Sequence, residues 1–339
     1  MVSILTSTLA EQGKAVYLIV HRHAKMEYSV SPKVNTLFLD EGDYSSNSSV
    51  AKIQRVLKVR NYLKAQKIDY VIPFLDSCMV HTFIASRGLK CKFISTLRNN
   101  PYERTKSESR KCDFIASFAD ANFVQNEMQK NYFSKKIQKK TFVVSNPVNE
   151  ALFEKEKEYR DSISKIVAFG RLNEQKNYYR LIDAMTIVNK SYPEAKLSIY
   201  GEGSLREEIL SEIEKKNATG YISLEGRTDD VIGAMQNNDL YVMSSDYEGM
   251  PNALMESMAF GMPCVSTDCP TGPKELIGSD ERGILAEMTS PSNLADAIIW
   301  MINNPAEAAE KGKRARKYMA DNFSADKISS KFYEECVRW

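Results

Sequence analysis

Short apolar runs alternate with amphipathic segments through the first half of the chain. Helical periodicity covers Ser3–Gln12, Val50–Lys67 and Ser77–Arg87. The runs between these segments are short and rich in β-branched and aromatic residues, which is typical of strands. The predicted strands are Ala15–Val20, Val34–Leu39, Tyr70–Phe74, Lys92–Thr96, Ala121–Val124 and Thr141–Val144. Because strands and helices alternate, the pattern predicts βαβ crossovers and a mostly parallel sheet.

The pattern breaks at Ser145-Asn146-Pro147, and the highly charged stretch Glu150–Arg160 follows it. Beyond this break the same alternation resumes, with Gly261 as the C-terminal stop of one helix. The predicted strands are Lys165–Phe169, Lys196–Tyr200, Tyr221–Leu224, Leu240–Met243 and Pro263–Thr267. The predicted helices are Lys176–Lys190, Ser204–Lys216, Asp229–Asn237, Asn252–Phe260, Asn293–Ile302, Pro305–Asn322 and Ala325–Arg338.

The break predicts two doubly wound α/β domains in tandem. We expect a first domain over residues 1–148 and a second over 149–323, with the helix in 324–339 packing back on the first. Doubly wound sheets bind ligands at the carboxyl ends of their strands, where the strand order reverses. We therefore expect two domains that face each other, with the ligand site in the cleft between them.

Composition excludes several protein classes. The 339 residues are 43% hydrophobic and 27% charged, with a mean hydropathy of −0.39. These values suit a globular protein and exclude collagen-like, low-complexity and generally disordered chains. No apolar run approaches the ~20 residues that a membrane-spanning helix needs. Six scattered cysteines without a Cys-x-x-Cys pair indicate reduced thiols, and the start lacks a signal-peptide pattern, so we expect a cytoplasmic location.

The net charge of +2 hides two halves of opposite sign. Residues 1–148 contain 23 Lys and Arg against 12 Asp and Glu, whereas residues 149–339 contain 23 against 32. A basic half suits nucleic acid, phosphorylated substrates or an anionic membrane surface, although a solvated face is the simpler interpretation.

The segment Glu248-Gly-Met-Pro-Asn-Ala-Leu-Met-Glu256 carries the strongest chemical signal. Pro251 suits the start of a helix, so backbone N–H groups of Gly249–Ala253 would point at an anion, assisted by the helix dipole. Glu256 lies about one turn inside that helix and suits sugar hydroxyls better than phosphate. A helix with an acidic first turn would explain one glutamate, because acidic residues there stabilise the helix dipole. It would not explain the whole segment Glu248–Glu256 followed by Gly261-Met-Pro-Cys-Val.

Two further strand-to-helix turns carry candidate ligand residues. In Gly170-Arg171-Leu-Asn-Glu-Gln-Lys176, an arginine and a lysine five apart could clamp a diphosphate, although an exposed basic turn explains them equally well. In Tyr200-Gly201-Glu202-Gly203, two glycines allow close approach of a ligand to the backbone. Arg227 follows the next strand and could lie beside a nucleobase.

These motifs, in this order, resemble a family 4 retaining glycosyltransferase with the GT-B fold. The resemblance is strongest over residues 165–285. The segment Ser266–Glu275 resembles a subgroup that builds bacterial surface polysaccharides, such as capsule and lipopolysaccharide, and lipid-linked oligosaccharides. The implied reaction moves a hexose or N-acetylhexosamine from a nucleotide sugar, UDP-linked, to a lipid-linked or glycan acceptor. The implied place is the cytoplasmic face of the cell membrane, with peripheral contact to anionic lipid and no nucleic acid partner.

The resemblance implies a role for each matching residue. Arg171 and Lys176 would bind the donor diphosphate, and Glu248 would lie near the transferred sugar. The turn Gly249–Ala253 would hold the distal phosphate, and Glu256 would hydrogen-bond the ribose. The remaining donor-side candidates are Gly170, Gly201, Gly203, Arg227, Gly249, Met250, Pro251, Asn252 and Ala253.

Leaving-group stabilisation by these cations and the helix N-terminus needs no metal, and no Asp-x-Asp motif occurs. We therefore expect no metal site and no cofactor other than the nucleotide sugar as substrate. The sequence also shows no second carboxylate for a double displacement, which favours same-face attack with retention.

The first domain departs from the family pattern. Many relatives carry a histidine near the transferred sugar, and here only His21, His23 and His81 are available. Arg98 and Asn99, at the end of a predicted strand, are the acceptor-side candidates instead. Relatives also begin with a strand and a Gly-rich turn, whereas this chain begins in the first helix. We therefore expect the first domain to lack its first strand, with the true start upstream of Met1 or another segment in that slot.

Other functions remain open at this stage. The same fold serves nucleotide-sugar 2-epimerases and phosphorylases, but a phosphorylase needs a pyridoxal lysine and a longer chain. A nicotinamide dehydrogenase needs Gly-x-Gly-x-x-Gly after its first strand, which is absent. A catalytically impaired subunit that binds a nucleotide sugar is the non-enzymatic alternative.

Overall fold

The chain forms two compact α/β units. The computed structural model describes residues 1–21, 29–39 and 49–338. Unit 1 comprises Met1–Pro147 and the C-terminal segment from Ala325, and unit 2 comprises Val148–Ser324. Helices in the described ranges are all too short or too polar to cross a bilayer.

The described residues of unit 1 form six parallel strands in two sheets. β1 pairs with β2, and the other four strands form a sheet in the order β3-β4-β5-β6. Among the described strands, none joins β1 to β3. The strands are β1 (Tyr17–Val20), β2 (Asn35–Phe38), β3 (Tyr70–Val71), β4 (Lys92–Leu97), β5 (Ala121–Val124) and β6 (Thr141–Val143). The expectation that the first domain lacks its first strand stays a prediction.

Among the described residues of unit 1, six α-helices precede the domain break, and α15 (Ala325–Val337) near the C-terminus belongs to the same unit. Phe332 of α15 lies edge-on to Phe123 of β5, with ring centroids 5.1 Å apart. Gln12 also donates a hydrogen bond to Asp326 over 3.3 Å. The first six helices are α1 (Val2–Glu11), α2 (Ser49–Ala65), α3 (Asp76–Ser86), α4 (Lys106–Phe118), α5 (Glu127–Tyr132) and α6 (Lys135–Gln138).

Unit 2 is a doubly wound α/β domain around one six-stranded parallel sheet. The strand order is β12-β11-β10-β7-β8-β9, so the chain moves outward from β7 to β9, returns to β10 on the other side of β7, and moves outward again. The strand order therefore reverses between β7 and β10. These strands are β7 (Lys165–Phe169), β8 (Lys196–Tyr200), β9 (Ile222–Gly226), β10 (Leu240–Met243), β11 (Cys264–Thr267) and β12 (Ile284–Ala286).

The core of unit 2 lies between this sheet and its helices. Leu181, Met185 and Val188 of the first long helix are fully buried, as are Leu294 and Ile298 of a later one. The helices are α7 (Ala151–Glu154), α8 (Tyr178–Ser191), α9 (Arg206–Lys215), α10 (Val231–Asn237), α11 (Asn252–Phe260), α12 (Pro273–Ile277), α13 (Pro291–Asn303) and α14 (Pro305–Phe323), followed by α15 (Ala325–Val337) of unit 1.

The predicted strand and helix pattern is confirmed in outline, with six additions. The sequence pattern predicts no helix for α4, α5, α6, α7 or α12 and no strand for β12. The sequence Lys106–Phe118 of α4 is mostly polar, and the helix begins with a capping box in which Thr105 and Glu108 bond each other's backbone N–H. Lys176 was predicted to begin a helix, but α8 begins two residues later, at Tyr178.

Candidate active site

The candidate site lies where the strand order of unit 2 reverses. Segments 170–177 and 244–252 leave the carboxyl ends of β7 and β10, which are neighbours in the sheet. Doubly wound sheets bind ligands at such a point, because the two segments diverge there and leave a crevice. The two strongest sequence motifs therefore meet at one place, although about 70 residues separate them.

Lys176 and Glu248 form an ion pair at this point. The Nζ atom of Lys176 lies 2.6 Å from Oε1 of Glu248, and the two side chains are 15% and 8% exposed. Ser245 donates its hydroxyl to the same oxygen over 2.7 Å, and Gln175 donates its amide to Oε2 over 3.4 Å. The carboxylate thus accepts from three groups, which compensates the cost of burying a charge.

A second group of contacts fixes the turn that carries Lys176. The turn Glu174–Lys176 is a 3-10 helix, and Asn177 follows it with a left-handed φ of 41°. The Asn177 amide nitrogen donates to both oxygens of Asp246 over 3.0 and 3.1 Å. Arg180 pairs with Asp246 over 2.7 Å and donates to the Ser244 carbonyl over 2.9 Å. These contacts tie the segment after β7 to the segment after β10.

Sequence reasoning missed Asn177, Arg180, Ser244 and Asp246. A signal was present, because Asn is common at helix N-caps and tolerates left-handed backbone, and Asn177 caps α8 by accepting from Arg180 N over 3.1 Å. The pairing with Asp246 depends on the strand order and has no local signature.

The turn after Glu248 is supported by the loop after β11. Thr271 donates its hydroxyl to the Glu248 carbonyl, and Glu248 N donates to the Pro270 carbonyl over 3.3 Å. Gly272 has a φ of 91°, and a Cβ there would lie 2.6 Å from Cδ of Pro251. The segment Ser266–Glu275, singled out for its family resemblance, therefore packs against the Glu248 turn.

Helix α11 begins beside this turn. Pro251 is its N-cap, no side-chain hydrogen bond caps it in the described structure, and Gly261 ends it with a φ of 92°. Its N-terminus therefore carries the positive end of the helix dipole next to the ion pair. Glu256 lies in the second turn, half-buried, and burial raises the pKa of its carboxyl.

Arg171 and Lys176 lie in different environments. Arg171 is exposed, and its guanidinium forms no ion pair among the residues that the structure describes. The Lys176 side chain crosses Gly170, since a Cβ on Gly170 would lie 3.0 Å from Cε of Lys176. Arg227 is 57% exposed and lies 3.7 Å from Asp229. Of the predicted cations, Lys176 is therefore held in place and Arg171 is available to a ligand.

The two glycines after β8 are required by packing. A Cβ on Gly201, whose φ is 157°, would lie 1.8 Å from the Gly170 carbonyl oxygen. A Cβ on Gly203 would lie 2.2 Å from the Leu172 carbonyl oxygen. The two glycines therefore allow the backbone after β7 to approach this turn closely. Contact between these glycines and a ligand stays a prediction.

Arg98 of unit 1 lies at the carboxyl end of β4. It donates to Asn146 Oδ1 over 3.3 Å and to the Val144 carbonyl over 3.4 Å, and its guanidinium lies 5.0 Å from the Phe74 ring. Burial lowers the pKa of Arg98 to about 10. Asn99 is exposed, and its carbonyl accepts from Gln129 over 3.2 Å. Arg98 thus joins a buried amide network, whereas the Asn99 side chain lies at the surface.

The three histidines of the sequence all belong to unit 1, and the structure describes His21 and His81. The rings of His21 and His81 are 6.3 Å apart, and His81 contacts the Ser77 carbonyl over 3.1 Å. His23 lies outside the described residues.

Residues 149–318, which contain both segments of the candidate site, match the family described as Glycosyl transferases group 1. The chain belongs to this family. The glycosyltransferase match spans half of the chain and lies within unit 2.

Curated relatives of this glycosyltransferase are a quarter to a third identical to it over the aligned residues. It is 25% identical to a glycosyltransferase of Haemophilus influenzae, over 96% of this chain and 91% of the relative. It is 32% identical to the poly(ribitol-phosphate) alpha-N-acetylglucosaminyltransferase of Staphylococcus aureus, over 50% of this chain and 34% of the relative. It is 26% identical to a Campylobacter jejuni alpha-1,4-N-acetyl-D-galactosaminyltransferase that is named for a diphospho-undecaprenol-linked glycan, over 88% and 82%.

The chain thus spans nearly all of one of these relatives but about a third of another. It also spans 62% of a Methanocaldococcus jannaschii glycosyltransferase that is 30% identical.

Solved structures share the fold of this glycosyltransferase. The Anabaena protein HepE, solved with UDP and glucose, has a TM-score of 0.80 at 17% identity and covers 99% of this chain and 95% of its own. TarM of Staphylococcus aureus has a TM-score of 0.72 at 24% identity and covers 83% and 58%. The fold is therefore of the GT-B class, with parallel α/β sheets in two Rossmann-like units, as the motifs predicted.

Proposed function

We propose that this chain is a retaining family 4 glycosyltransferase of hexosyltransferase type. Its donor would be a nucleotide sugar, UDP-linked, that carries a hexose or N-acetylhexosamine. Its acceptor would be a lipid-linked or glycan molecule of bacterial cell-surface polysaccharide synthesis. The observation that carries this proposal is the Lys176–Glu248 pair at the carboxyl ends of β7 and β10, beside the exposed Arg171 and the N-terminus of α11.

The positive groups of this site suit a leaving diphosphate. As the bond between the anomeric carbon and the phosphate oxygen breaks, negative charge grows on the departing UDP. Arg171, Lys176 and the α11 N-terminus would stabilise that charge from fixed positions, which is the most effective form of transition-state stabilisation. Relatives support this donor, because HepE was solved with UDP and glucose and TarM with UDP.

Glu248 suits the sugar rather than the phosphate. Its carboxylate is held by Lys176, Ser245 and Gln175, so it offers a fixed negative charge to the hydroxyls of the donor sugar and to the positive charge that develops on the sugar ring. In the proposed step the acceptor oxygen attacks the anomeric carbon from the face that UDP leaves. The acceptor proton passes to the departing phosphate oxygen, so the configuration is retained.

The acceptor class follows from the relatives and from charge. One relative is named for poly(ribitol-phosphate) and another for a diphospho-undecaprenol-linked glycan, so both are named for acceptors that contain phosphate. Residues 1–148 have an excess of 11 positive charges, which suits such acceptors and an anionic membrane surface. We propose peripheral contact with the cytoplasmic face of the membrane on this ground.

Turnover assays test the proposal. The chain is incubated with UDP-glucose, UDP-N-acetylglucosamine or UDP-N-acetylgalactosamine and an undecaprenyl-diphosphate-linked glycan. We expect free UDP and a new α-glycoside from an α-linked donor, assigned by the anomeric proton coupling. A β-glycoside would contradict retention. Binding of UDP without any glycoside would favour the nucleotide-sugar-binding subunit, and a sugar epimerised at carbon 2 without transfer would favour the epimerase.

A further inference from the structure

Large hydrophobic side chains are exposed almost entirely on unit 1. Of thirteen such side chains among the described residues, eleven belong to unit 1 and two to unit 2. Seven of the eleven lie on three consecutive helices and are 40–64% exposed. They are Val50, Ile53 and Leu57 of α2, Val80 and Ile84 of α3, and Phe114 and Phe118 of α4. Contiguous exposed apolar residues of this size mark an interaction surface.

These three helices form one layer. Arg60 of α2 donates to the carbonyls of Ala85 and Arg87, at the end of α3, over 3.0 and 2.6 Å. Phe83 of α3 lies edge-on to Phe114 of α4, with ring centroids 6.2 Å apart. Helices α3 and α4 also connect neighbouring strands of one parallel sheet in the same direction, so right-handed crossovers place them on the same face.

The exposed residues of each helix share one face. On α2 they are spaced three and four residues apart, and on α3 and α4 four apart, which matches the helical repeat. The rings of Phe114 and Phe118 are in contact, with centroids 4.9 Å apart. We call the outer face of these three helices the α2–α4 surface.

Basic residues accompany the apolar ones. Residues 49–118 contain fourteen Lys and Arg against five Asp and Glu. On α4, Arg110 and Lys111 are exposed and lie four and three residues before Phe114, so they share its face. Of the acidic residues, Asp76 is paired with Arg104 over 2.7 Å and Glu108 bonds Thr105 in the helix cap. The surface is therefore both apolar and positive.

A run of four lysines within residues 135–140 continues this surface. Lys140 donates its Nζ to the carbonyls of Ser117 and Ala119, at the end of α4, over 2.8 and 2.5 Å. Lys135, Lys136 and Lys139 precede it and are exposed. The contact with α4 places this basic segment beside Phe118.

Charge decides among the possible partners. A second copy docked through the same surface would bring two positive faces together, which is unfavourable. An anionic bilayer accepts both components, because apolar side chains enter the boundary between headgroups and acyl chains while Lys and Arg remain among the headgroups.

We propose that the α2–α4 surface docks on an anionic lipid bilayer, with Phe114 and Phe118 as apolar anchors and Arg110 and Lys111 against the headgroups. This rests on the proposed function, which places a lipid-linked acceptor at such a membrane.

Vesicle flotation tests the surface. The full chain is mixed with vesicles of phosphatidylcholine alone or with about one-third phosphatidylglycerol, in low and high salt. We expect binding to the anionic vesicles that weakens with salt. Loss of one buried aromatic side chain weakens partitioning by roughly tenfold, so Phe114→Ser/Phe118→Ser should reduce it by about tenfold or more. Arg110→Gln/Lys111→Gln should reduce the binding and flatten its salt dependence.

Val337→Ser provides the matched control. Val337 is also an exposed hydrophobic residue of unit 1, but it lies on α15 and outside the α2–α4 surface. This variant should bind vesicles as the wild type does. Wild-type partitioning of Phe114→Ser/Phe118→Ser, or binding indifferent to lipid charge, would overturn the proposal. A wild-type dimer that Phe114→Ser/Phe118→Ser converts to a monomer would also overturn the proposal, because the partner would then be a second copy of the chain.

A separate measurement keeps this proposal distinct from the proposed function. The rise in melting temperature with UDP reports on unit 2 and should be equal in all four proteins. Loss of vesicle binding with an intact UDP response supports the docking surface. If vesicle binding changes in the variants as expected but UDP raises the melting temperature of none of the four proteins, the docking surface is supported and the donor assignment is contradicted.

Discussion

The Nζ atom of Lys176 and the Oε1 atom of Glu248 are 2.6 Å apart, although 72 residues separate them in the chain. The sequence motifs gave these residues separate tasks, one on the diphosphate and one near the sugar. The structure shows that they form a largely buried ion pair, so each residue also sets the position and charge balance of the other.

Removing Lys176 should therefore destabilise the protein as well as inactivate it. Lys176→Met leaves the Glu248 carboxylate buried without its cation, which costs about 3 kcal/mol of the free energy of unfolding. In the double variant Lys176→Met/Glu248→Gln the charge is gone, so most of this stability should return. Urea unfolding of the single and double variants measures the coupling.

Turnover should behave differently from stability in this cycle. The double variant lacks both the cation for the diphosphate and the carboxylate for the sugar, so its turnover should stay as low as that of either single variant. Recovery of turnover together with stability would show that the pair has only a structural role.

Arg171→Ala should reduce turnover without destabilising the fold. Arg171 is exposed, so its loss removes no internal contact, whereas a charge-assisted hydrogen bond to the donor contributes about 1.5–3 kcal/mol. Turnover with the nucleotide sugar should fall at least ~10-fold with little change in melting temperature. Lys190→Ala, which removes an exposed cation at the end of α8, is the control and should match the wild type. Equal turnover for Arg171→Ala and wild type would refute its assignment.

Gly272→Ala should weaken donor binding by displacing the Glu248 turn. A Cβ at this position meets Cδ of Pro251 at 2.6 Å, and the φ of 91° is unfavourable for alanine. We expect a higher KM for the donor and a lower melting temperature. Gly220→Ala is the matched control, because a Cβ there meets nothing within 4 Å and the residue is not in a left-handed conformation. Similar kinetics for both variants would show that the loop after β11 does not support the site.

Glu256 predicts a pH dependence with a definite sign. Burial raises the pKa of its carboxyl in the folded protein, so unfolding lowers that pKa. The protonated side chain is then the better tolerated form in the folded state. The contribution of Glu256 to the free energy of unfolding is fully present below the pKa of the unfolded state. It is lost as the pH rises through the raised pKa of the folded state. The free energy of unfolding of wild type relative to Glu256→Gln should fall over that window and level off above it.

Donor binding should oppose this shift. If the ribose hydroxyls donate to Glu256, UDP favours the ionised form and lowers the pKa of the carboxyl, so UDP affinity should decrease as pH falls into the same window. Glu256→Gln should bind UDP more weakly and without this pH dependence. A pH dependence of UDP affinity that persists unchanged in Glu256→Gln would assign it to another group.

Chelation tests the proposal that the reaction needs no metal. The positive groups of the site would replace a cation at the diphosphate, so excess EDTA should leave turnover unchanged. Loss of turnover on chelation, with recovery on adding magnesium or manganese, would contradict this part of the mechanism.

The local pattern of the chain predicted most of the fold. Strands Lys165–Phe169 and Ala121–Val124 have the predicted ends, because each is a short apolar run bounded by polar or Gly-containing turns. The pattern failed at α4, whose polar sequence carries only a capping box as a helix signal. It also placed Lys176 inside a helix, because the left-handed turn at Asn177 has no hydrophobic signature.

The sequence singled out Lys176 and Glu248 but did not show that they meet, and their roles toward a ligand stay predictions. The motifs drew attention to them, because Gly, Pro and charged residues at strand ends have few structural reasons to occur together. Their pairing, and the contacts of Asn177 and Arg180 with Asp246, depend on β10 returning beside β7. The contacts of Arg98 with Asn146 and Phe74 were equally hidden from the sequence, and its acceptor-side role stays a prediction.

The central claim is that the nucleotide diphosphate binds at Arg171 and Lys176. Calorimetric titration of UDP, GDP and ADP into wild type, Arg171→Ala and Lys190→Ala tests it most directly. The account predicts that wild type and Lys190→Ala bind UDP equally, and that Arg171→Ala binds it at least ~10-fold more weakly. Equal UDP affinity in all three proteins, or no binding of any of the three nucleotides, would contradict it.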